Sequence, residues 1–174
     1  MQPEVRLRIE TMIKALDDVV IPELVSGSAI EQATLVRGSL QLLQEQFDHI
    51  RGFAHADLKS FSDLCDKLAQ HAHAGDEVVA AEIARSSARA AAADARASLA
   101  DLNQHNRALR SAACALIREE YSGADPERQK GIERITLRHA QSQTDRERAW
   151  VHMTGFDIFP NEVQTVAAAS TPGD

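Results

Sequence analysis

Apolar residues recur at alternating intervals of four and three through the middle of this chain. The first run consists of Val36, Leu40, Leu43, Phe47, Ile50, Ala54, Asp57, Phe61, Leu64 and Leu68. After His73-Ala74-Gly75-Asp76 the same spacing resumes at Val78 and continues to Leu116. This alternation turns one face of a helix towards a partner helix, as in coiled coils. It predicts an all-α fold whose two long helices, about 29–73 and 77–121, form an antiparallel hairpin that turns at Gly75.

The composition also favours helix over strand. Aromatic residues make up only 4% of the chain, Gly and Pro are few, and Ala is abundant. If the hairpin turns at Gly75, residue i lies opposite roughly residue 150 − i. The alanine-rich segment 88–97 then faces Phe53, Leu58 and Phe61, so small side chains meet large ones.

Two shorter amphipathic helices are predicted on either side of the hairpin, at about 4–24 and 126–152. Pro22 should kink or end the first, and Pro126 suits the first position of the second. Packed beside the open end of the hairpin, they would make that end a four-helix bundle. We therefore expect one helical-bundle domain over 1–154 and an irregular tail over 155–174, disordered in its last residues.

The closed end of the hairpin, about 54–97, would project with only two helices. It carries a second apolar stripe, made of Leu58, Cys65, Ala72, Val79, Ile83 and Ala90. Because two helices cannot cover both stripes, the sequence predicts a homodimer formed through this second one. In the alternative arrangement, the last helix or the tail folds back over the stripe.

Charge and cysteine content restrict the possible partners and location. The net charge of −7 argues against nucleic acids and anionic membranes, which attract clustered cations. The two cysteines are far apart in the predicted hairpin, which fits a reducing cytoplasm. No long apolar span or leader pattern is present, so we expect a cytoplasmic protein with no membrane partner. The excess of Arg over Lys, together with the abundant Ala, is typical of GC-rich bacterial genomes.

One set of side chains has the composition of a metal site. Glu45 and His49 are spaced i,i+4, as are Asp101 and His105. In the predicted register Glu45 faces His105 and His49 faces Asp101, which would gather two imidazoles and two carboxylates as ligands for Zn²⁺ or Fe²⁺. The alternative role for these residues is hydrogen bonding and ion pairing between the helices.

Other chemical signatures are weak. His71 and His73 lie near Asp76 and Glu77 at the hairpin turn, where solvated turn residues are the simpler interpretation. The chain contains no glycine-rich phosphate loop, Cys-x-x-Cys or nucleophile elbow. No catalytic residue and no cofactor is therefore expected.

Two stretches carry a family resemblance. The first runs over 16–24 and ends Val19-Val20-Ile21-Pro22-Glu23-Leu24, and the second is Leu99-Ala100-Asp101-Leu102-Asn103, continuing to Arg118. They resemble a family of small uncharacterised bacterial helical proteins encoded near aminoglycoside-phosphotransferase-like kinases and acyl-CoA dehydrogenases. The resemblance implies no established activity, but it favours an accessory protein that acts beside such an enzyme.

The sequence as a whole predicts a non-enzymatic helical interaction or accessory protein that self-associates through its long hairpin. Its protein partner, if it has one besides itself, is not identified by the residues. The alternative is a small-ligand or metal-binding helical bundle, with a catalytic role left open.

Overall fold

The computed structural model describes residues 4–72, 75–122, 126–154 and 157–171, which form helices joined by short connections and contain no strand. The predicted all-α class is confirmed. The helices are α1 (Val5–Ala15), α2 (Ile21–Glu23), α3 (Gly27–Phe47), α4 (Ile50–Ala69), α5 (Asp76–Ala93), α6 (Leu99–Ser122), α7 (Pro126–Trp150) and α8 (Val166–Ala169).

The first helical segment contains a wide turn where the sequence predicted a kink. A π-helical turn, Leu16–Val20, joins α1 to α2. It lies directly before Pro22, which has no N–H to donate to the preceding turn, so the regular ladder of hydrogen bonds cannot continue there. The segment ends at Leu24, whose backbone is extended.

Helices α1 and α3 pair side by side in opposite directions and form what we call the N-terminal hairpin (residues 5–47). Arg6 Nη1 lies 2.9 Å from Asp48 Oδ2 at one end of this pair. Towards the other end, Arg37 Nε lies 3.3 Å from Asp17 Oδ1. These contacts tie the two helices together along their length, and all four side chains remain partly in solvent.

Helices α4 to α7 form the body of the molecule, a four-helix bundle. The predicted reversal near Gly75 is confirmed, since Arg85 of α5 pairs with Asp66 of α4. Helix α6 runs parallel to α4, and Asn106 Nδ2 donates to the Ala54 carbonyl at 3.0 Å, which links these two helices. Helix α7 then runs antiparallel to α4. The bundle therefore lies at the end of the chain reversal, rather than at the open end where the sequence placed it.

Each predicted long helix contains a break. The first is interrupted at Asp48 and His49, between α3 and α4. The second is interrupted where α5 ends at Ala93 and α6 begins at Leu99. Asp94 Oδ1 accepts the Arg96 N–H at 2.8 Å in a local turn. Ser98 then caps α6, because Asp101 Oδ2 accepts the Ser98 N–H at 2.8 Å while the Asp101 N–H donates to Ser98 Oγ at 3.2 Å.

This break decides the topology. Helix α6 does not extend α5 outwards towards α3, as a continuous 77–121 helix would. It turns back and packs against α4 and α5 instead. The core that results contains fully buried leucines from α4 and α6 and one isoleucine from α7: Leu68, Leu102, Leu109, Leu116 and Ile132.

Within the described residues the C-terminal segment packs on the body and includes a short helix, while the predicted disorder of its last residues stays a prediction. Val166 and Ala169 are buried in the short helix α8. The backbone of this segment lies close to Gly52 of α4, where a Cβ would be 2.9 Å from the Ser170 carbonyl oxygen. Arg148 holds the preceding residues through Asp157, with Nε 2.7 Å from Oδ2.

Candidate interaction surface

The α3 part of the first apolar run is uncovered in the N-terminal hairpin. Val36 is 53% exposed, Leu43 is 44% exposed and Phe47 is 40% exposed, while Leu40 between them is half-buried. Their spacing of four, three and four residues follows one side of α3. No residue of α3 is classed as buried. A stripe of this kind normally packs against a partner, and within the described chain it has none that covers it.

Helix α1 adds to the same side of the hairpin. Ideal helix geometry, with α1 antiparallel to α3 and Arg6 and Asp17 facing α3, places Val5 and Met12 beside the α3 stripe. Val5 is 45% exposed and Met12 is 46% exposed, while Ile9 between them is buried. We call this two-helix apolar surface the hairpin face; it consists of Val5, Met12, Val36, Leu40, Leu43 and Phe47.

Among the described residues, the body contacts the hairpin near the end of α3. Gln46 Nε2 donates to the Trp150 carbonyl oxygen at 2.6 Å. The Trp150 ring lies 4.3 Å, centroid to centroid, from Phe53 at the start of α4. The turn His152–Thr154 contacts α3 in the same area. The rest of the hairpin extends beyond these contacts, so its apolar side faces solvent.

The charge content of α3 is low for an exposed helix. Its 21 residues include only Glu31, Arg37 and Glu45 as charged side chains. Arg37 is already engaged with Asp17 of α1. A helix that stays in solvent usually carries many more charges on its outer positions, whereas depletion of charge is a property of interface centres.

The predicted dimer stripe divides between the core and the surface. On α4, Leu58 and Cys65 are buried against the other helices of the body, and Ala72 beyond its end is half-buried against the same core. Residues of α5 remain outside: Val79, Ile83 and Ala90 are exposed. The α4 half is covered because α6 folds back onto it, which a two-helix closed end would not have allowed.

Cys65 also lacks the properties of a reactive thiol. Its Sγ lies 3.7 Å from the Leu109 carbonyl oxygen inside the body. Burial raises the pKa of the Cys65 thiol to about 11, with Arg85 opposing the shift. Both Cys65 and Cys114 are free, and Cys114 is exposed. Cys65 therefore serves as a small core residue.

The four candidate metal ligands lie on three different parts of the chain. Glu45 is near the end of α3, His49 is in the break before α4, and Asp101 and His105 are on α6. Ser98 occupies the Asp101 carboxylate and is the main reason that the pKa of this carboxyl is lowered. Across the described residues, no group of three or more His, Cys, Asp or Glu side chains is arranged to hold a metal ion. The predicted cluster is thus not assembled.

The residues at the hairpin turn have local roles. His71 Nδ1 lies 3.0 Å from the Lys67 carbonyl oxygen one turn earlier. His73 lies outside the described residues, and Asp76 and Glu77 begin α5 as acidic residues of its first turn. That placement stabilises the positive end of a helix and needs no metal.

Two charged residues that fall within the four-three spacing, Asp57 on α4 and Arg85 on α5, are used inside the body. Asp57 is 5% exposed, and its carboxylate accepts from Arg110 Nη2 at 2.8 Å and from Arg146 Nη2 at 3.0 Å. Arg85 pairs with Asp66 and with Glu82. Both residues therefore form ion pairs within one chain rather than across a dimer contact. The sequence did not reveal Arg110 and Arg146 as partners, because they reach Asp57 from α6 and α7.

Clefts border the body between its described helices. A groove of about 350 Å³ lies between α4 and α5, where Ala88 and Ala92 leave space opposite Leu58. A second, of about 270 Å³, separates α4 from α7. A third, of about 730 Å³, lies between α7 and the C-terminal segment. The first is the most apolar, and the second is lined by several cations.

No protein-family model, curated protein or solved structure matches this chain. The resemblance to bacterial helical proteins noted above therefore stays an expectation from sequence. Among the helices described, none combines the length and the apolar character that crossing a bilayer requires.

Proposed function

We propose that this chain is a helical interaction protein that self-associates through the hairpin face. The observation that carries the proposal is the uncovered stripe of Val36, Leu40, Leu43 and Phe47 on a helix with few charges. Large apolar patches on a folded surface commonly mark interaction sites. The proposal keeps the predicted homodimer but moves its interface from the closed end of the chain reversal to the N-terminal hairpin.

A second copy of the hairpin is the simplest partner on geometric grounds. Two antiparallel helices expose one broad apolar side, and two such pairs placed face to face make a four-helix bundle. A twofold axis lets each patch meet the same patch of the other copy. In the body, the apolar sides of α4 and α5 are covered within one chain, because α6 and α7 pack against them.

The available area fits a specific dimer. Helix α3 has 21 residues and is therefore about 30 Å long. Two helices side by side are about 20 Å wide, which gives a face of roughly 600 Å² per copy. Burying this face in both copies removes at least about 1,200 Å², the lower end of the range for stable protein interfaces.

The experiment that tests this proposal is the mass of the intact protein in solution. Multi-angle light scattering after size exclusion should give twice the chain mass of 19.0 kDa at micromolar concentration. Leu43→Glu places a charge in the middle of the hairpin face and should return the protein to a monomer, because an unpaired charge cannot be buried in the contact.

Leu35→Glu is the matched control. Leu35 is 59% exposed on the same helix, but it lies one residue step, about 100° of rotation, away from Val36 and off the stripe. This variant should remain a dimer. Ile83→Glu, on the exposed part of the originally predicted interface, should also remain a dimer. A monomeric wild type, or a dimer that survives Leu43→Glu but not Ile83→Glu, would contradict the proposal.

A further inference from the structure

The groove between α4 and α7 has the side chains of an anion site. Helix α4 lines it with Lys59 and Lys67, and helix α7 lines it with Arg138 and Arg146. Asp63 is the only carboxylate among its lining residues. The chain carries a net charge of −7, so a concentration of cations at one groove is opposite to the overall composition.

Two of these cations have no carboxylate partner within the described part of the chain. Lys59 Nζ lies 3.1 Å from Asp63 Oδ2, so these two side chains form an ion pair with each other. Arg146 Nη2 lies 3.0 Å from Asp57 Oδ1. Lys67 and Arg138 make no ion pair with any described residue, and both side chains are exposed along the groove. They are therefore available to a ligand.

The charge beneath the groove is also unbalanced. Asp57 is shared between Arg110 and Arg146, so two guanidinium groups surround one carboxylate. Arg146 is only 12% exposed at its side chain; burial and Arg110 disfavour its charged form, while Asp57 and Glu147 favour it. An anion in the groove would add a further favourable charge beside this partly buried guanidinium.

His139 lies beside these cations in the same groove. Its ring lines the groove, with Nδ1 3.4 Å from Ser60 Oγ, and Nε2 is buried without a hydrogen-bond partner among the described residues. Burial lowers the pKa of His139, and the charges of Arg146, Arg110 and Lys67 lower it further against the opposing effect of Asp57. The imidazole therefore stays neutral where the neighbouring residues are cationic.

We infer that this groove binds the phosphate or diphosphate group of a small soluble molecule. Arg138 offers the planar fork that matches phosphate oxygens, and Lys67 offers a point charge. Ser60 and Ser142 add hydroxyl donors on opposite walls. The volume of about 270 Å³ accommodates a diphosphate with a small organic group and is close to the lower limit for small-molecule sites.

Titration of the full-length protein with inorganic pyrophosphate at low ionic strength tests the inference. Calorimetry should give saturable binding with one site per chain. The double variant Lys67→Gln/Arg138→Gln should weaken binding by roughly tenfold or more, because two charge-assisted contacts are lost. Both side chains are exposed, and circular dichroism will establish that the variant keeps its helical content.

Lys130→Gln/Arg134→Gln is the matched control, since it also removes two positive charges, here from exposed positions of α7 outside the groove. It should change the affinity by less than about threefold, the effect of general charge alone. Nuclear magnetic resonance supplies a second readout, in which bound pyrophosphate raises the pKa of His139. Absence of saturable binding, equal losses in the two double variants, or an unchanged His139 pKa would each overturn the inference.

Discussion

The N-terminal hairpin and the body use similar helices in different ways. Both contain long helices with apolar residues at intervals of four and three. In α4 eight residues are buried, whereas α3 has no buried residue and α1 has only Ile9. In the body α6 and α7 cover α4, while within the described part of the chain no third helix lies along the hairpin. The difference teaches that a heptad stripe predicts a partner helix without saying whether that helix belongs to the same chain.

The two regions also differ in how charges are used. In the hairpin, ion pairs such as Arg37 with Asp17 lie at the surface with both side chains at least 36% exposed. In the body, Asp57 is enclosed and joins three helices through Arg110 and Arg146. Ion pairs in the hairpin therefore contribute to helix pairing at the surface. The Asp57 ion pairs of the body are instead part of its packed interior. Single substitutions can separate these roles.

The largest effect is expected at the buried carboxylate. Asp57→Ala leaves Arg146 without its partner in a partly buried position and should lower the free energy of unfolding by about 3–5 kcal/mol. Asp17→Ala removes the exposed partner of Arg37 in the hairpin and should cost less than about 1 kcal/mol. Urea denaturation of the two variants measures both values. Equal losses would mean that the hairpin is as tightly integrated as the body.

Apolar truncation gives the next largest contrast. Leu109→Ala opens a cavity at a fully buried position of α6 and should cost about 2–5 kcal/mol. Leu35→Ala trims a side chain that is 59% exposed, off the hairpin face, and should change stability by no more than about 0.5 kcal/mol. Thermal unfolding at equal protein concentration compares them. A large loss of stability in Leu35→Ala would mean that another part of the protein packs against that side of the hairpin.

Two helical glycines provide a smaller and more local comparison. Gly52→Ala in the body places a Cβ 2.9 Å from the Ser170 carbonyl oxygen, so the C-terminal segment must shift and stability should fall by roughly 1–2 kcal/mol. Gly38→Ala in the hairpin meets no atom within 4 Å and should stabilise the protein by about 0.5–1 kcal/mol. Hydrogen exchange should show faster exchange over 166–171 only in Gly52→Ala. Unchanged protection there would contradict the close approach.

The smallest expected effect concerns pH and the attachment of the C-terminal segment to the body. Arg148 and the Phe159 N–H lower the pKa of Asp157 from 3.8 to about 2. Because the folded value is the lower one, this contribution is complete above about pH 4 and is lost as the pH falls towards 2. Amide resonances of 157–171 should therefore shift in that range before those of the hairpin. In Asp157→Asn the shift should disappear.

The sequence predicted those parts of the fold that depend on local pattern. Gly75 and the two stripes around it correctly indicated the reversal between α4 and α5, and Arg85 does face this part of α4 through Asp66. Near the start of α4, Arg51 donates to the Ala97 carbonyl oxygen at 2.6 Å, which fits the predicted register as well. These contacts join residues whose spacing a regular hairpin determines.

The register failed beyond residue 97 for an identifiable reason. The alanine-rich segment has high helix propensity and keeps the apolar period, so continuity was the natural prediction. Ser98-Leu99-Ala100-Asp101 nevertheless has the form of a capping box, and that motif was the signal that a new helix begins. Without it, α6 was placed opposite α3, and both the metal cluster and the dimer stripe depended on that placement.

Other features had no local signal. The break at Asp48 and His49 contains neither Gly nor Pro. The contact of Gly52 with Ser170 and the reach of Arg146 to Asp57 join residues about ninety or more positions apart, and such contacts follow from tertiary packing rather than from periodicity. The cationic groove was missed for the same reason, since its two walls come from α4 and α7.

The close contact between Gly52 and Ser170 affects the order in which the parts of the molecule can fold during synthesis. The N-terminal hairpin and the pairing of α4 with α5 use residues that leave the ribosome early, and domains generally form as their residues emerge. Ser170, which packs against Gly52, is joined to the chain long after it. During synthesis α4 therefore keeps this flank uncovered until the later segment has emerged, whereas both helices of the N-terminal hairpin precede α4 in the chain.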